Sequence, residues 1–337
     1  MSYILPVLLF CALNSISVYG FKKKFGQVMP FTVMASVLFL YFIQYTLHSF
    51  QIGWVLLLVS GGLGAAMMAV LSFRKHAVAA LYFTPGLVSF LMVCAIAVIL
   101  NYGRRFSDFD EFWHWGMMIK EELRLDRFYC IEASRMIIHK DYPPFLSILE
   151  LLWVKTGGTY SEGLLSASLH VMIYSLLIVP ITEKTCGKQE QKHPYWSAAG
   201  MTVLLTVLLI LAFSIFDYAN IYYTILADLP LGAVFAFCLM LIIGEDAYRD
   251  RLGMGTLILG CVTLVMIKQG RYGDVFRLGS DICSGGMGKQ KAGKKKACYW
   301  RRSSNPYPAG CLCLVGALCQ VSQHCRYPGG SRRGRSV

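Results

Sequence analysis

Eight continuously apolar runs, near residues 3–20, 27–47, 52–72, 79–100, 161–180, 197–216, 229–243 and 252–268, constrain this chain more than any other feature. Each approaches the roughly 20 residues that a helix needs to cross a hydrocarbon core about 30 Å thick. The runs do not alternate apolar with polar residues. They therefore read as helices, which satisfy their own backbone hydrogen bonds in lipid, and not as barrel strands. Hydrophobic residues make up 56% of the 337, against roughly 45–50% in soluble domains. The expected fold is all-α: a polytopic transmembrane helical bundle. The first run lacks a basic start and an A-x-A-like cleavage site, and FKKKFG follows it, so it reads as a retained helix and not a signal peptide.

The formal net charge of +13 points to nucleic acid or anionic lipid until its location is tallied. Residues 1–268 hold 19 Lys and Arg against 17 Asp and Glu, whereas residues 269–337 hold 13 against 2. The apolar region is nearly neutral, and no nucleic-acid partner is expected. The tail has no spanning run and no sustained period. Its Cys311, Cys313, Cys319, His324 and Cys325 follow no paired C-x-x-C spacing. Three readings stay open: a zinc site, a disordered basic extension, and a change of reading frame near Lys268-Gln269. The last expects further hydrophobic spans in another frame of the genomic DNA, and it implies an inactive chain that has lost its C-terminal part. Cys11, Cys94, Cys130, Cys186, Cys238 and Cys261 lie mostly in apolar runs, where a thiol acts as a small hydrophobe.

Excess Lys and Arg mark cytoplasmic loops. FKKKFG, FRKH, the loop 181–196 and the loop 244–251 fall on that side by alternation. HSFQ, the long segment 101–160 and DYANIYYTILAD then face outside. PPFLSILELLW, within that long segment, is too short to cross unaided and is expected to be re-entrant or interfacial. The working face is expected outside a bacterial cell membrane.

That long segment carries the unusual stretch FSDFDEFWHWGMMIKEELRLDRF, residues 106–128. Phe112, Trp115, Met118, Ile119 and Leu123 recur at helical spacing, opposite Lys120, Glu121, Glu122 and Arg124. This predicts an amphipathic helix along the membrane surface. Ser107 and Asp108 are candidate N-caps, and Asp110 and Glu111 fall in the first turn. Those two acids read either as helix-end charges or as catalytic groups. HKDYPPF, His139 to Phe145, follows, with two prolines forcing an extended entry into the next helix. FDYANIYYTILADLP brings Asp217 and Asp228 to the same side. Asp228 reads either as a cap ahead of Pro230 or as a functional acid at membrane depth, and Tyr218, Tyr222 and Tyr223 read as an interfacial belt.

FDEFWHWGMMIKEEL, then HKDYPPF, then a tyrosine-rich connection ending in AD, resembles the GT-C superfamily of polyprenyl-phosphate-sugar-dependent glycosyltransferases. The likeness is to the branch of protein O-mannosyltransferases and aminoarabinose transferases, over residues 100–270. It implies transfer of a sugar from a polyprenyl-phosphate-linked donor to a glycan, lipid or protein acceptor beside the bilayer. It implies Asp110 as general base or metal ligand with Glu111 beside it; Asp228, as an acid at membrane depth, is the third catalytic candidate. Arg104, Arg105, His139, Lys140, Tyr142 and Lys268 would bind the donor phosphate and sugar. A divalent ion, Mg or Mn, would sit on Asp110 and His114, although a lone histidine also reads as an ordinary interfacial residue. The alternative function is a transporter or channel for a lipid or polar solute, in which Asp110 and Asp228 would bind or relay ions. It expects charges within several spans, which the first, second and sixth nearly lack.

Overall fold

A computed structural model describes residues 2–74, 76–137, 140–187, 192–215, 224–244 and 250–268, leaving out the side chains of 74, 76–77 and 213–215. His139, Asp217, Tyr218, Tyr222, Tyr223 and the whole tail from 269 lie outside the described residues.

All regular elements among the described residues are helices. They are α1 (Ile4–Phe21), α2 (Phe25–Leu47), α3 (Phe50–Arg74), α4 (His76–Tyr82), α5 (Pro85–Asn101), α6 (Gly116–Leu125), α7 (Phe145–Gly157), α8 (Glu162–Cys186), α9 (Pro194–Ile215), α10 (Asp228–Ile243) and α11 (Arg251–Ile267). A π-helical turn, Glu111–Trp115, leads into α6. Five helices, α1, α2, α3, α8 and α9, are long and apolar enough to cross a membrane. The chain is an integral membrane protein of all-α, polytopic type. The remaining apolar runs form α5, α10 and α11, of 17, 16 and 17 residues.

The fourth run is not one continuous helix. Pro85 removes a backbone donor and disfavours helical geometry at Thr84, which is extended at φ −120°, ψ 168°. The run therefore divides into α4 and α5.

α8 is the central helix, buried on nearly all sides and packed against α2, α5, α7, α9 and α10. Ser161 starts it by accepting a hydrogen bond from the Leu164 amide at 3.1 Å, with Glu162 favourably placed in the first turn. α3 and α9 are peripheral and turn Val55, Val59, Leu63, Leu204 and Leu208 outward. So much exposed aliphatic surface suits hydrocarbon and not water. α7 is different: 13 residues, about 20 Å long, buried along its length among α1, α2, α6 and α8. It enters the bundle without crossing it and ends at Gly158, whose φ of 74° a side chain would strain.

Polar contacts sort the helix ends into two groups. At the basic end Lys23 pairs with Asp250, Lys24 Nζ donates to the Gly187 carbonyl at 2.6 Å, and Glu183 receives three donors. Those donors are the Gly26 amide (3.2 Å), the Gly86 amide (3.1 Å) and the Thr84 hydroxyl (2.5 Å). One carboxylate thus satisfies the free N-terminal amides of both α2 and α5, where helix dipoles favour negative charge. At the opposite, loop end, Asp126 accepts from Ser49 Oγ (2.5 Å), the Gln51 amide (3.2 Å) and Lys155 Nζ (2.9 Å), joining α6 to α3 and α7. The grouping agrees with the alternation expected from the charged loops.

Candidate functional site

The loop end gathers most of the residues singled out by the sequence, and Glu111 is the knot. It is 0% exposed. Its Oε2 accepts from the Ser107 and Asp108 amides at 2.8 and 3.0 Å, and its Oε1 accepts from the Ile225 amide at 3.0 Å, with Arg104 at 3.9 Å. Glu111 therefore satisfies backbone donors ahead of its own helix and fastens that loop to the segment leading into α10. Helix-end chemistry accounts for this residue.

Asp110 differs. Its side chain is exposed and makes no capping hydrogen bond, while its backbone amide is satisfied by Asp108 Oδ1 at 2.9 Å. Among the described residues its carboxylate enters no ion pair. Asp228, the first residue of α10, pairs with Lys268, just past α11, at 2.6 Å, with both side chains partly exposed. It does not serve as the N-cap of α10, a position held by Ala227.

The second element is joined through aromatic rings. His114 stacks on Trp115 (centroids 4.6 Å, 8°), and Tyr142 meets both edge-on, at 4.5 and 5.7 Å. The Tyr142 carbonyl accepts from the Tyr129 hydroxyl. Lys140 reaches the Ile131 carbonyl at 3.4 Å, within its own loop. Arg105 is exposed. Glu111 and Tyr142 thus bring the loop 104–111, the 140–142 element and the start of α10 together, without direct contact between the Asp110 and Asp228 side chains.

The surface helix keeps its predicted apolar face at Trp115, Met118 and Ile119 and departs from it at Phe112. In the π-helical turn the Gly116 amide bonds back to the Glu111 carbonyl, an i to i+5 link with one residue more than an α turn. The extra residue rotates Phe112 off the buried face, and it is exposed with Trp113, while Trp115, Met118 and Ile119 are buried. Glu121 and Glu122, expected on the wet side, are buried as well. Glu121 accepts from Arg124 through two nitrogens, at 3.0 and 2.6 Å, and from the Arg135 amide at 2.8 Å. The Arg124 guanidinium holds the Glu121 carboxyl down at about 2, well below its ordinary range.

The metal expectation fares poorly on geometry. Among the described residues no three His, Cys, Asp or Glu side chains form a group able to hold an ion. Asp110 is exposed, while the His114 ring is enclosed by Trp115 and Tyr142. The pair does not fit a metal centre, and no chemical step is assigned to one.

Sequence reasoning placed Glu122 on the wet side and passed over Asp126, Glu150 and Glu183. Two of them stood in plain view, since Glu150 and Glu183 interrupt apolar helices, where an acid needs a reason. Comparison with known proteins adds no relative: no family model, no curated protein and no solved structure matches the chain.

Proposed function

We propose that this chain is a membrane glycosyltransferase that moves a sugar from a polyprenyl-phosphate-linked donor to an acceptor hydroxyl at the loop end of the bundle, on the outer side of the membrane. The observation that carries the reading is the Glu111–Ile225 hydrogen bond, which fastens the segment bearing Asp110 to the one bearing Asp228. Asp110 is an exposed carboxylate of that end that enters no ion pair among the described residues, and it serves as the base. Glu111, fully engaged with backbone amides, holds the loop that presents Asp110.

In the reaction the acceptor oxygen attacks the anomeric carbon as the bond to the phosphate oxygen breaks, inverting the centre. Asp110 takes the hydroxyl proton, a contribution of roughly 10²–10⁴-fold. The departing lipid phosphate needs positive charge, which Arg104, Arg105, Lys140 and Lys268 supply. Arginine offers paired donors to phosphate oxygens. Lys268 must then exchange Asp228 for phosphate.

Membranes carrying this chain are incubated with polyprenyl-phosphate sugars and followed for sugar transfer, alongside Asp110→Asn. Transfer by the parent chain with loss on the order of 10²–10⁴-fold in Asp110→Asn is expected. Undiminished transfer by the variant removes Asp110 from the mechanism, and no transfer by the parent chain overturns the reading.

A further inference from the structure

Beneath the surface helix lie two carboxyl side chains that the proposed chemistry does not use. Glu122, on the inward side of α6, and Glu150, midway along α7, are 0% and 1% exposed. Glu122 accepts from the Ser147 hydroxyl at 3.1 Å through Oε1, and its Oε2 has no hydrogen-bond partner. Neither oxygen of Glu150 has one. The buried Tyr160 hydroxyl, close enough to feel the charge of Glu150, is also without a partner.

Among the described residues no cation neutralises the pair. α7 packs against α1, α2, α6, α8 and α11. α1 and α2 contain no Asp, Glu, Lys, Arg or His, and α11 has only Arg251, at its start. α8 brings Glu162, which accepts from the Phe106 amide, and His170, which meets Asn101 at 2.9 Å. Its Glu183 and Lys184 stand at the far end. On α6, Arg124 is bound to Glu121, and Lys120 lies 5.5 Å above the Tyr160 ring. Lys155 of α7 is bound to Asp126, and Lys268 beyond α11 to Asp228. Glu111 adds further negative charge, with Arg104 beside it.

Two ionised carboxylates held buried and unpaired cost several kcal/mol each. The neutral acids carry no such penalty, and they supply the hydrogens that the bare oxygens lack. We infer that Glu122 and Glu150 form a buried proton-binding site that is loaded at neutral pH and strengthens the docking of α6 on α7 while loaded. Each carboxylate takes one proton from solvent, and no other reactant is involved. Burial pushes both carboxyls well above their ordinary range, and the charges of Glu122 and Glu111 push Glu150 further in the same direction. Because the folded value is raised, the stabilisation is complete below the ordinary carboxylate range and is lost as pH climbs through the raised value. Since α6 continues the turn that begins at Glu111, loosening of that docking on alkalinisation reaches the loop that carries Asp110.

Infrared spectroscopy of the full chain in lipid, with and without ¹³C-glutamate, reads the protonated carboxyl band directly. A glutamate-derived band is expected at neutral pH, diminished in Glu150→Gln and in Glu122→Gln. Thermal melting of the parent chain should fall as pH rises, and Glu122→Gln/Glu150→Gln, which mimics the neutral acids, should flatten that slope. Absence of a protonated glutamate band from the parent chain at neutral pH overturns the inference, whether or not the variants fold. So does a band that sodium ions abolish, or a melting slope unchanged in the double variant.

Discussion

Glu111 and Asp110 are adjacent acids with opposite surroundings, and substitutions should separate them. Glu111→Ala strands three backbone amides, of Ser107, Asp108 and Ile225. It should cost about 1–3 kcal/mol of stability, read as a lower melting temperature in detergent. Asp110→Asn should leave melting unchanged, because that side chain holds nothing in place. Glycine positions are equally discriminating. A Cβ on Gly86 would lie 2.7 Å from the Gly26 Cα and 2.8 Å from its nitrogen, backbone that cannot yield. Gly86→Ala should therefore destabilise by about 1–3 kcal/mol, whereas Gly200→Ala, with open space around it, should not. Asp110 could be singled out from sequence as one of an acidic pair, but the division of labour within the pair could not. It depends on Ile225, more than a hundred residues away, donating its amide to one of them.

α6 is held to its surroundings by acids that respond to pH in opposite senses. Glu121, held at about 2 by Arg124, contributes stability that is present above its ordinary range near 4.5 and is lost as pH falls towards 2. Proteolysis of the loop 127–137, which Glu121 and Arg124 fasten through the Arg135 amide and the Ala133 carbonyl, should accelerate on acidification. Arg124→Gln should bring that acceleration to higher pH. The helix and its buried face were legible from the spacing of Trp115, Met118 and Ile119, but the exposure of Phe112 and the burial of Glu121 and Glu122 were not. The π-helical turn displaces the register by one residue, and it arises where the Phe106 ring packs within 2.5 Å of any Cβ at Gly116. Gly116→Ala should for that reason disturb α6 and expose Trp115, seen as a red-shifted, more quenchable tryptophan emission. The break between α4 and α5, by contrast, was written in Thr84-Pro85 and could have been read from local rules alone.

For the whole bundle, the helical type of the apolar segments followed from hydropathy, while five helices among the described residues are long and apolar enough to cross a membrane against eight apolar runs in the sequence. Which segments lie at the centre did not follow. α8 and α9 are similarly apolar, yet one is buried almost throughout and the other mostly exposed. The difference lies in packing partners and not in composition. A charge placed on the outward side of α9, as in Leu204→Arg, should cost insertion about 2.5–3.5 kcal/mol, measured as reduced membrane integration. At the basic end, α2 and α5 both begin on the single carboxylate of Glu183, with Gly26 and Gly86 in backbone contact. That shared mooring acts as a fulcrum. With the two backbones in contact there, sliding is blocked, and any rocking between the helices must be smallest beside Glu183 and widest at their other ends, some 25 Å away, the end at which Asp110 stands.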